Sequence, residues 1–70
     1  MTEHQKLATA LYKETKTAYE IVYDLYNPTL RRWYKGEATR AEFEHARLTI
    51  NAFLTACELA SREIEYADAT

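Results

Sequence analysis

Seventy residues contain one glycine, one proline and one cysteine, and uncharged stretches reach only about ten residues, as from Leu48 to Cys57. Each scarcity excludes something. Strands joined by tight turns need Gly, Pro and Asn at their corners, and almost none are present. A lone Cys57 rules out an intrachain disulfide, and a free thiol on an apolar stripe points to a reducing, cytoplasmic setting. Ten residues are half of what a bilayer-spanning helix needs, so no membrane association is expected. The start of the chain, with Glu3, His4 and Lys6, lacks the basic-then-apolar order of a signal peptide. The formal charge of −2 is too small for a global pull toward nucleic acid or an anionic membrane.

What is present favours helices. Apolar residues make up 47% of the chain and charged residues 29%, too apolar a balance for disorder. Eleven alanines stand where turn formers would otherwise be. The whole chain, 1–70, reads as a single small domain. Charge is unevenly spread: residues 28–40 hold Arg31, Arg32, Lys35 and Arg40 against Glu37, a local +3, which leaves −5 on the rest.

The order Thr2-Glu3-His4-Gln5 has the form of a capping box, in which hydroxyl and amide reciprocally satisfy the first backbone N–H groups. From there a helix over 3–26 is expected, ending where Pro28 lacks an N–H and its ring crowds the Asp24 carbonyl. Asn27 then serves as N-cap and Pro28 as first position of a short helix over 28–35, closed by Gly36 in a left-handed conformation. A second capping box, Thr39 to Glu42, opens a helix over 40–67. The fold expected is all-α: a helical hairpin of two long helices joined by a short one.

Periodicity indicates how the helices pack. Phe43, Ala46, Ile50, Phe53, Cys57, Ala60, Ile64 and Ala67 recur at alternating spacings of three and four, an unbroken stripe of the kind that packs on another helix. On the first helix the equivalent stripe is His4, Leu7, Leu11, Glu14, Ala18, Ile21 and Leu25, with Tyr12, Tyr19, Tyr23 and Tyr26 forming an aromatic strip beside it. Two helices bury little more than one stripe each, and small domains often complete their core by association. A homodimer of hairpins forming a four-helix bundle is therefore expected, with Phe43, Ile50, Phe53, Cys57 and Ile64 in the oligomer interface.

Two clusters are candidate partner surfaces. The tyrosine strip of Tyr12, Tyr19, Tyr23 and Tyr26 offers rigid faces with a polar tip, which suit an interface that is part dry and part wet. The same rings could instead line the edge of the protein's own dimer core. The run Arg31-Arg32-Trp33-Tyr34-Lys35 combines the residue types enriched at binding hot spots. Its structural alternative is that Trp33 and Leu30 plug the open end of the hairpin and leave the cations in solvent. A helix-turn-helix reading of Gly36 to Thr39 is disfavoured, because the reading helix would open with Glu42 and Glu44, which repel phosphate.

Glu42-x-x-His45 matches a pattern of di-iron bundles, with Glu14 or Asp24 as further carboxylates. His45 faces away from the main stripe, however, and Glu42 is already the capping acid, so no metal and no cofactor are expected. Catalytic triads, phosphate-binding glycine loops and Cys/His zinc clusters are lacking, and the chain is not read as an enzyme. The expectation is a small non-catalytic protein–protein interaction module, a homo-oligomeric accessory protein that docks on a larger macromolecule and inhibits or recruits it. The alternative is a nucleic-acid-binding regulator that uses the basic turn from Arg31 to Lys35.

Overall fold

The computed structural model describes residues 2–69. The fold is a helical hairpin of two members, α1 over Glu3–Tyr34 and α2 over Arg40–Ala69, with no strand among the described residues. The pair forms a rod of 50 × 15 × 13 Å. Gln5 reaches Asp68 at one end and Trp33 stacks on Phe43 at the other, so the helices run antiparallel.

Both capping boxes form. The Gln5 backbone N–H donates to the Thr2 hydroxyl at 3.1 Å, and the Thr2 N–H donates to Gln5 Oε1 at 2.8 Å. At the second helix the Glu42 and Thr39 backbone N–H groups make the reciprocal pair, each at 3.1 Å. Between them α1 closes in a Schellman motif. Gly36 sits at φ 74°, the Glu37 N–H donates to the Arg32 carbonyl at 2.7 Å, and the Gly36 N–H donates to that of Trp33 at 3.0 Å.

One expected boundary is absent. No short helix stands between the long ones: α1 runs unbroken through Pro28 to Tyr34. An interior proline removes the bond to the Asp24 carbonyl and costs roughly 3 kcal/mol. Continuing the helix keeps the spacing from Tyr26 through Thr29 and Leu30 to Trp33, all partly buried. Trp33 thereby stacks on Phe43, ring centroids 4.7 Å apart and planes within 12°. A break at Asn27 would take Trp33 out of that register.

A second expectation is reversed. The stripe of α2 behaves as its spacing predicts: Ala46, Ile50, Ala60 and Ala67 are buried and Phe43, Phe53, Cys57 and Ile64 are half-buried. On α1, though, the stripe facing α2 is Gln5, Ala8, Tyr12, Thr15, Tyr19, Val22 and Tyr26, while Leu7, Leu11, Ile21 and Leu25 lie 48–66% exposed. Two physical reasons favour the tyrosines. Packing through the leucines would draw Glu14 into the seam, and an unpaired buried carboxylate costs several kcal/mol; the tyrosine stripe carries no formal charge. The second reason is shape. The Cys57 thiol donates to the Thr15 carbonyl at 3.4 Å. In an antiparallel pair that contact sets Ala60 level with Tyr12 and Ala46 level with Tyr26. Alanines on α2 leave room for rings on α1, and the Tyr26 hydroxyl reaches His45.

Candidate functional site

The hairpin has two flanks, one on each side of the seam. Residues one position before the tyrosine stripe, among them Leu7, Leu11, Ala18, Ile21 and Leu25, share a helix side by their spacing of three and four. Leu11 lines a groove with Ala56, Leu59, Arg62 and Glu63 of α2, and helical spacing puts Leu7, Ile21 and Leu25 on the same side of α1 and Ala52 on the same side of α2. His4 lies 3.8 Å from Glu63 and 5.8 Å from the Tyr66 ring along the same edge. Leu59 is 54% exposed. Sequence reasoning assigned the leucines of α1 to the core. The signal that separates them is the charge at Glu14 within their stripe, against its absence from the tyrosine stripe and the latter's continuation to Trp33.

The tyrosines are not equivalent. Tyr12, Tyr19 and Tyr26 are half-buried in the seam, whereas Tyr23 is exposed and its ring lies 6.2 Å from that of Tyr19. Tyr26 shares a 3.2 Å hydrogen bond between its hydroxyl and His45 Nε2, with the two rings edge to face. Three of the four rings expected on a partner surface are thus engaged within the chain. Phe43, Ile50, Phe53, Cys57 and Ile64, expected between copies, likewise line the seam with α1. That places them inside one hairpin rather than on its outside.

The turn end divides in the same way. Trp33 is half-buried against Phe43, and Leu30 is also half-buried, so these two close the end of the seam. Arg32 Nη2 donates to Glu42 Oε2 and to the Glu37 carbonyl, both at 3.3 Å. Arg40 pairs with Glu44 at 3.1 Å, one turn along α2. Hydrogen bonds from the Thr39 backbone and hydroxyl, followed by the Arg32 charge, hold the Glu42 carboxyl below the usual range. What stays outward is Arg31, Tyr34 and Lys35, with Tyr34 83% exposed. The side chains of Arg31 and Lys35 have no ion pair among the described residues.

Glu42 and His45 are engaged with Thr39, Arg32 and Tyr26, and no group of three or more His, Cys, Asp or Glu among the described residues is arranged to hold a metal ion. No described helix is long and apolar enough to cross a membrane. No protein-family model, curated protein or solved structure matches the chain, so its role is argued from these surfaces alone.

Proposed function

We propose that the protein is a small non-catalytic protein–protein interaction module that works as a homo-oligomer and docks on a larger macromolecule, which it inhibits or recruits. The observation that carries this reading is the turn end, where the Tyr34 ring stands almost fully in solvent on the same turn as Arg31 and Lys35, which have no ion pair among the described residues. A rigid ring of this kind loses little rotamer freedom on binding, and Arg and Tyr are typical of binding hot spots. The local positive balance fits an acidic patch on the partner. The turn beneath is held by Gly36, the Arg32–Glu37 bond and the Arg32–Glu42 pair, so the three side chains project from a fixed base.

The alternative, a regulator that binds nucleic acid through the same turn, has less support. Of its three cations Arg32 is paired with Glu42, and the neighbouring Arg40 is paired with Glu44. Each phosphate contact contributes a steep salt dependence, and only Arg31 and Lys35 remain free to make one.

The test is affinity capture with the wild-type chain and with Arg31→Glu/Tyr34→Ala, two positions outside the seam. A specific captured protein should disappear from the variant's set while its helical spectrum stays unchanged. Identical sets for the two baits would contradict the reading. Binding to labelled DNA or RNA that weakens steeply with salt and is abolished in the same variant would favour the alternative.

A further inference from the structure

We infer that the leucine flank is covered by a second copy of this chain, in a two-fold arrangement that completes a four-helix bundle. This rests on the homo-oligomeric part of the function proposed above and not on its docking part. It also places the contact on residues different from the Phe43–Ile64 stripe.

Three observations point to a second copy as the occupant. The first is area. The chain exposes 5287 Å², whereas a folded monomer of 8.2 kDa exposes about 4,500 Å². The surplus, roughly 750 Å², is close to the share that one partner contributes to a standard interface. The second is charge. Between Leu7 and Leu25 the flank carries Glu14, and the groove beside Leu11 adds Arg62 and Glu63 toward one end, while Ala52, Ala56 and Leu59 carry no charge. The opposite flank holds Lys13, Lys16, Glu20, Arg47, Glu58 and Glu65 by the same spacing. Desolvating the leucine flank therefore strands few charges, while the opposite flank suits water. The third is shape. Ala18, Ala52 and Ala56 lie near mid-length, and the larger Leu7, Leu11, Ile21, Leu25 and Leu59 lie to either side. Small residues at the middle let two rods of equal length approach closely, and a face whose few charges lie apart from its alanine centre is compatible with itself, as an isologous contact requires.

Sedimentation equilibrium of the full chain tests this. The wild type should sediment at twice 8.2 kDa at micromolar concentration, and Leu11→Lys/Ile21→Lys should weaken association by at least about 100-fold. Leu54→Lys, on the opposite flank, should leave the dimer intact. If the double variant unfolds instead of dissociating, the wild type decides: a melting temperature that rises with protein concentration supports a dimer through folding linkage. A wild type that sediments at 8.2 kDa with a concentration-independent melt would overturn the inference, as would a double variant that remains dimeric. Neither result bears on capture by the turn end, so failure here and failure of the docking reading are separable.

Discussion

The first helix carries two stripes side by side, both spaced for packing, and only one is in the seam. Leu7, Leu11, Ile21 and Leu25 are the more hydrophobic set, yet they lie outside; Tyr12, Tyr19, Val22 and Tyr26 lie inside. Hydrophobic transfer alone would give the opposite result, since a leucine gains more on leaving water than a tyrosine that must keep its hydroxyl wet. What decides is the surface offered by α2. Its buried alanines at 46 and 60 stand level with Tyr26 and Tyr12, and the tyrosine stripe brings no charge with it. Complementarity of shape and the cost of burying Glu14 outweigh the difference in apolar area. The displaced leucines are left exposed.

This contrast can be strained in several ways. Filling an alanine site should have the largest effect: Ala46→Leu places three extra carbons at a fully buried position level with Tyr26, and a loss of about 1–3 kcal/mol is expected from overpacking. A fall in melting temperature of several degrees would register it. Leu48→Ala, two positions on and exposed, should shift the same melt by less than about 0.5 kcal/mol. Equal effects from the two would remove the distinction between seam and surface.

Smaller effects are expected at the turn that holds the two helices in register. Thr39→Ala removes the hydroxyl that accepts the Glu42 N–H and should cost about 1 kcal/mol in a denaturant titration. Gly36→Ala meets no atom within 4 Å. Its expected cost of about 1 kcal/mol arises from the left-handed backbone alone. Combining the two should give close to additive loss only if cap and C-terminal motif act independently, since both surround Arg32.

The smallest effect is a pH dependence. The Glu42 carboxyl is held below its ordinary value of 4.5. Folding therefore favours the charged form, and the contribution is fully present above pH 4.5 and lost as pH falls below it. A modest drop in melting temperature on acidification below that value should be reduced in Glu42→Gln. The same drop in both proteins would show that other carboxylates govern it.

Much of this fold is legible in the sequence because its signals are local. Thr2 with Gln5, Gly36, and Thr39 with Glu42 each act over a few residues, and each forms the motif its spacing implies. The stripe of α2 is legible as well, since no charge interrupts it. Pro28 misleads because its cost is local whereas the contact that offsets it, Trp33 on Phe43, lies at the start of α2. The choice between the stripes of α1 is also non-local. It depends on which positions of α2 are alanine, and on the register that sets Ala46 and Ala60 level with particular rings. At the turn, the residue types mark a candidate surface, but only the contacts divide it. Trp33 and Arg32 are engaged within the chain, and Arg31, Tyr34 and Lys35 are left outward.

A disulfide scan against the native thiol tests most directly which stripe faces α2. Cys57 Sγ already lies 3.4 Å from the Thr15 carbonyl oxygen, and thiols on facing residues close a bond when their Cα atoms come within about 7 Å. Mild oxidation of Thr15→Cys should join it to Cys57 within one chain and consume both free thiols, whereas Glu14→Cys, on the leucine stripe, should keep its intrachain pair open. Ready closure of the Glu14→Cys pair, with Thr15→Cys left reduced, would contradict the tyrosine-lined seam.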